Sequence, residues 1–184
     1  MEKRKLFIGI LLPEGFILEL SSLPKLNQTM EGIKWTKLEN LHITLFFIGF
    51  VNEEKLNQIK DEISNLSTLI KVFQITYEGI KLISPAHPKM IWAQFQKNKE
   101  FQNFNDFALS RFKEIIPEFN QFHKEPIPHV TLARIKSKNN LKKLDLSNHI
   151  KPFSLSVEEF YLMESKSSKE GVRYFPLEKY KFTV

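Results

Sequence analysis

The chain has 184 residues, enough for one domain or two closely joined lobes, and 42% of them are hydrophobic, so a packed core is expected and global disorder is not. It contains no cysteine, which excludes disulfides, thiolate nucleophiles and Cys-ligated zinc and fits a reducing, cytoplasmic setting. A formal net charge of +6 favours anionic partners, although a lysine excess of this size is as readily a solvated surface.

The N-terminus is basic and then apolar. The apolar run stops at Pro13-Glu14 without a small-residue cleavage site, so residues 5–11 read as a strand rather than a signal peptide. Pro13 can open a helix, where its missing N–H costs nothing, and Phe16, Ile17, Leu20 and Leu23 recur at helical spacing through 14–24. The polar Asn27-Gln28-Thr29 breaks that helix. Residues 41–50, β-branched and aromatic, read as a strand. Leu56, Ile59, Ile63 and Leu66 mark one face of a helix. Residues 71–83 and 89–96 read as strands joined by the turn Ser84-Pro85-Ala86-His87-Pro88. A second amphipathic helix carries Phe101, Phe104, Ala108, Phe112 and Ile115 and ends at Pro117.

Residues 128–135 form another strand, and the lysine-rich 136–143 look exposed. The segments 153–163 and 172–182 read as two strands around a hairpin loop, Lys166–Gly171. Most of the 17 phenylalanines should be core. No apolar stretch is long enough to span a bilayer, so no membrane association is expected. With no linker or low-complexity tract, residues 1–184 read as a single unit. The pattern favours an α+β fold with largely antiparallel sheet. Each half runs from a helix into a strand that holds His-x-Thr, an internal echo that points to two similar lobes.

Those two strands carry the chemistry. Side chains alternate along a strand, so His42 and Thr44 share a face, as do His129 and Thr131. If the halves are related by a pseudo-twofold, the pairs face each other across a cleft. Opening a cyclic phosphodiester with water requires a proton to leave the nucleophile on one side and reach the leaving oxygen on the other. Two imidazoles, one neutral and one protonated, can do this near neutral pH, and hydroxyls can hold the phosphate oxygens. The scheme requires no metal, and no ligand spacing of the His-Glu-x-x-His kind occurs. A single His-x-Thr on a strand means little, because a histidine in an apolar run is usually a core or edge residue. Two copies, both mid-strand and both followed by Leu, are harder to dismiss.

With these residues in place, the chain resembles the 2H phosphoesterase superfamily, and within it the RNA 2′,3′-cyclic phosphodiesterases once called 2′-5′ RNA ligases. The resemblance rests on Lys5–Ile10 with Pro13, Lys34-Trp35-Thr36, Glu39–Leu45, Phe47-Ile48-Gly49, Ile91-Trp92-Ala93, Pro128–Arg134, Leu162–Ser165 and Tyr174–Leu177. It implies a bilobal fold of two pseudo-symmetric lobes with outer helices and a central cleft. It also implies hydrolysis of an RNA or nucleotide 2′,3′-cyclic phosphate to a 2′-phosphomonoester. By that resemblance His42 is the general acid, His129 the general base, Thr44 and Thr131 hold phosphate oxygens, and Arg134 binds phosphate.

Arg134 raises a tension: strict alternation turns it away from His129 and Thr131, unless the strand ends or bulges there. His87 reads as a solvated loop residue that can at most rim the cleft; His123 and His149 have no evident partners. Phe7, Phe47, Trp92 and Tyr174 are candidates for a base-stacking platform. Lys136, Lys138, Lys142 and Lys143, with Lys166, Lys169 and Arg173, can guide an RNA strand or simply confer solubility. The expected partners are RNA 3′ ends or small cyclic nucleotides, with no cofactor, and a monomer is expected. Two other readings share the same residues: a nucleotide or RNA-end binding module without turnover, and 2′-5′ ligation as the reverse reaction.

Overall fold

A computed structural model describes residues 3–27, 31–116, 119, 125–136, 144–146 and 150–184. In chain order these form β1 (Lys3–Leu11), α1 (Glu14–Leu20), α2 (Ser22–Leu26), β2 (Ile33–Trp35), β3 (His42–Asn52), α3 (Leu56–Leu69) and β4 (Phe73–Ile83). There follow β5 (Met90–Phe95), α4 (Lys99–Ile115), β6 (His129–Ile135), β7 (Ser154–Val157), β8 (Glu159–Ser168) and β9 (Gly171–Lys181). Pro117, His123, His149, Lys138, Lys142 and Lys143 lie outside the described residues.

The strands form one curled sheet in the order β7-β4-β5-β6-β3-β1-β8-β9, with β2 added alongside β6, and every one of these pairings is antiparallel. Two lobes follow from this order. Strands β3, β1, β8 and β9 make one, and β7, β4, β5, β6 and β2 the other. They join between β3 and β6 through the pair Ile43↔Val130. The α+β, two-lobed architecture read from the sequence is the observed one.

Helix α4 shows how the pattern becomes packing. Its N-cap is Asn98, whose side-chain oxygen accepts from the Phe101 N–H at 2.9 Å, satisfying a donor that the first turn leaves unpaired. Its buried stripe is Phe101, Phe104, Ala108, Phe112 and Ile115. Phe104 meets Phe160 edge-on, with ring centroids 5.4 Å apart, and Phe112 stacks on Phe46. Each buried ring of this kind contributes about 1.5–3 kcal/mol relative to exposure. Helix α3 packs beside α4 and buries Ile59, Ile63 and Leu66, the face marked by spacing.

Several elements differ from the sequence reading, β2 among them, which it did not contain. The helix over 14–24 is broken at Ser21 into α1 and α2. Pro24 lacks an N–H and is tolerated only in a first turn, so a new helix starts just ahead of it. Ser21 and Ser22 donate their hydroxyls back to the Leu18 and Glu19 carbonyls, which terminates α1. Asn27, read as part of a polar break, is buried; its amide donates to the Leu23 and Asp145 carbonyls and its oxygen accepts from the Asp145 N–H.

The apparent strand 153–163 is two strands in different lobes. Residues 154–157 pair with β4, and from Glu159 the chain pairs with β9 and, further along, with β1. The break at Glu158 is where the chain crosses from one lobe to the other. The hairpin loop is also shorter than 166–171: Lys166 to Ser168 continue β8, and Gly171, at φ 115°, opens β9. Pro176 is accommodated because β9 is an edge strand. Among the described residues no helix is long and apolar enough to cross a membrane.

Candidate active site

The pair Ile43↔Val130 sets the geometry of the site. Both residues are fully buried, so their strand neighbours on either side point to the opposite face of the sheet. Those neighbours are His42 and Thr44 on β3, and His129 and Thr131 on β6. All four line one pocket at the seam of the lobes, together with Lys5, Phe7, Thr36, Asn40, Phe47, Arg134, Ser165 and Tyr174.

Arg134 reaches this pocket through a bulge. On β6, Thr131 pairs with Trp92 but Ala133 pairs with Ile91, so Leu132 is an extra residue against β5. Leu132 and Ala133 are consecutive buried residues, and the phase of the strand is shifted beyond them. Thr36 latches the bulge: its hydroxyl donates to the Thr131 carbonyl and its N–H to the Leu132 carbonyl, both at 2.8 Å. The conflict between alternation and a phosphate-binding arginine is thereby resolved. The same device acts on β3. Leu45 is extra between Thr44↔Gly9 and Phe46↔Ile8, which turns the exposed Phe47 into the pocket wall.

The two imidazoles are held alike. His42 Nδ1 lies 2.8 Å from the Asn40 carbonyl, and His129 Nδ1 lies 2.7 Å from the Ile127 carbonyl. A carbonyl only accepts, so Nδ1 carries the proton in each ring and Nε2 is left with its lone pair. His42 Nε2 sits 3.0 Å from the Thr44 hydroxyl. Asn40 is itself fixed, because its buried amide donates to the Val172 carbonyl of β9 at 2.7 Å.

The aromatic surroundings differ. His129 stacks on Trp92 with centroids 3.5 Å apart and planes 14° from parallel. His42 instead meets Phe7 at 4.9 Å and the edge of Tyr174 at 4.8 Å. Gly9 makes room there. A Cβ at this position would lie 3.1 Å from the Phe7 ring and 3.5 Å from the His42 ring.

Burial holds both histidines below the ordinary value of about 6.5, because the cation is poorly solvated there; the carbonyl bond to each Nδ1 opposes this, and a charge on His129 lowers His42 further. Both rings are therefore neutral at neutral pH in the ligand-free protein. Burial raises the Tyr174 hydroxyl, and the charge of Arg134 partly offsets it.

The five residues singled out from the sequence, His42, Thr44, His129, Thr131 and Arg134, are thus brought together. Thr36, Asn40 and Gly9 were not singled out by spacing. Their roles depend on contacts between strands far apart in sequence, and only their place in the resembling segments pointed to them. Of the candidate aromatics, Phe7, Phe47 and Tyr174 line the pocket, and Phe47 is exposed. Trp92 lies behind His129. His87 is exposed in the turn after β4 and is not among the lining residues. Among the described residues no three His, Asp or Glu side chains converge as a metal site would need.

Two lobes of curled antiparallel sheet meeting at paired His-x-Thr strands are the arrangement of the 2H phosphoesterases. Residues 19–92 and 108–174 match the family described as LigT like phosphoesterase, and the chain belongs to that family. It is 32% identical over 145 residues to the RNA 2′,3′-cyclic phosphodiesterase of Methanocaldococcus jannaschii, covering 76% of both chains. It is 25% identical over 177 residues to the enzyme of the same name from Archaeoglobus fulgidus, covering 92% of this chain and 96% of that one. A crystal structure of a Thermus thermophilus protein shares the fold, with a TM-score of 0.80 at 24% identity over 97% of each chain.

Proposed function

We propose that the protein hydrolyses the 2′,3′-cyclic phosphate at an RNA 3′ end, or in a small cyclic nucleotide, to a 2′-phosphomonoester. The observation that carries this reading is the pair Ile43↔Val130, which sets both His-x-Thr segments on one face, with Arg134 turned in by the bulge. The names of the relatives support the same activity.

In this reading the cyclic phosphate lies over the seam. Thr44, Thr131 and Arg134 hold its non-bridging oxygens, where charge must be stabilised as the ring opens. His129 Nε2 takes a proton from the attacking water, and His42 Nε2 gives one to the departing 3′ oxygen. The flat contact of His129 with Trp92 suits a ring that becomes cationic during the reaction. In the ligand-free site a charge on His129 disfavours one on His42. The acid role of His42 therefore needs the negative phosphate to outweigh that repulsion.

The test is incubation with a 2′,3′-cyclic mononucleotide in EDTA, followed by phosphorus NMR. A 2′-phosphomonoester is expected, with a bell-shaped pH–rate curve whose acid limb lies below the ordinary histidine value. A 3′-phosphomonoester, or tight binding with no product, would overturn the proposal.

A further inference from the structure

A second groove opens from the wall of the pocket, between β2 with the residues after it and the start of β9. It shares Thr36, Asn40, Arg134 and Tyr174 with the pocket and adds Lys34 and Lys37. In the antiparallel pairing of β2 with β6, Lys34 stands directly opposite Arg134. Like charges directly opposite each other on a sheet are destabilising. All three cations are exposed, and among the described residues none has a carboxylate partner; the Arg134 guanidinium donates a hydrogen bond to the Met90 sulfur. The one acid lining the groove, Glu170, is engaged by Arg173 at 3.1 Å. With Arg134 given to the phosphate in the pocket, Lys34 and Lys37 leave positive charge in the adjoining groove that a second anion can balance.

The geometry points to a subsite in which Lys34 and Lys37, beside Arg134, take the phosphodiester on the 5′ side of the terminal nucleoside. This rests on the proposed function. Along β6, His129, Thr131 and, past the bulge, Arg134 face the pocket in turn, so the Arg134–Lys34 pair stands at the end of that row, where the next phosphate of a chain would follow. The groove thus selects an RNA end over a mononucleotide, through charge rather than base sequence.

The experiment compares a mononucleoside 2′,3′-cyclic phosphate with a dinucleotide bearing the same end, and with that dinucleotide carrying a neutral methylphosphonate linkage. Wild type is expected to prefer the dinucleotide by about tenfold or more in kcat/KM, in line with two phosphate contacts. The preference should vanish with the methylphosphonate, and in the variant combining Lys34→Ala with Lys37→Ala. Equal rates on mono- and dinucleotide, a preference that survives the neutral linkage, or one that survives in the double variant would each overturn the subsite. If wild type turns over neither substrate, the proposed reaction fails separately. The subsite is then judged by binding of mono- and dinucleotide 2′-phosphates: a charge-dependent preference that the double variant loses supports it, and equal affinities overturn it.

Discussion

His42 and His129 are held by one local device used twice: a carbonyl two residues back binds Nδ1 and leaves Nε2 for the reaction. Because the device is local, the His-x-Thr spacing was enough to find both rings in the sequence. Which ring is acid and which is base depends on the surroundings, and those differ, with Trp92 flat against one and Phe7 and Tyr174 around the other. A bridging 3′-sulfur substrate separates the roles, since a thiolate leaves without being protonated. His42→Ala should regain most of its lost rate on that substrate and His129→Ala should not. Rescue of His129→Ala instead would exchange the assignments.

At the scale of elements, the bulges decide which side chains reach the site. The sequence shows alternation, and alternation alone turns Arg134 the wrong way. The extra residue at Leu132 is dictated by pairing with β5 and by the Thr36 bonds, neither of which leaves a local signal. The split of 153–163 was hidden for the same reason: both pieces have strand propensity, and only their partners distinguish them. By contrast α3 and α4 were legible because their periodic faces are the ones buried. If Thr36 fixes the bulge, Thr36→Val should lose about 0.5–1.5 kcal/mol of stability, the value of one hydrogen bond. It should also lower kcat more than it raises KM, because a misplaced Arg134 no longer holds the charge that grows as the ring opens. A loss confined to KM, or no loss, would show that Thr36 does not act through the arginine.

For the whole molecule, the two lobes give the site its place and tie its chemistry to acid stability. Folding lowers both histidines, so between the folded value and about 6.5 the unfolded chain binds more protons. Stability from these rings is complete above that window and is lost as pH falls through it. Glu164 adds to this at lower pH. Arg4 grips its carboxylate at 3.0 and 2.7 Å and holds it below the usual carboxylate range, so the contribution disappears as pH falls through the lowered value. Thermal melts should show Tm falling as pH drops below about 6.5, with a shallower slope in His42→Ala and His129→Ala. A Tm that rises on acidification through this range would contradict the linkage.

The sheets of the two lobes join through the pair Ile43↔Val130, and in the proposed reaction that seam makes two histidines into one proton-transfer site. The most direct measurement is kcat/KM on a 2′,3′-cyclic nucleotide for His42→Ala, His129→Ala and the double variant, each with its fold checked by its melt. Each single variant should lose about 10²–10⁴-fold, and the double should fall close to the worse single, because groups that act as a unit are not additive. Wild-type turnover in either folded single variant, or losses that simply multiply, would contradict a single coupled site.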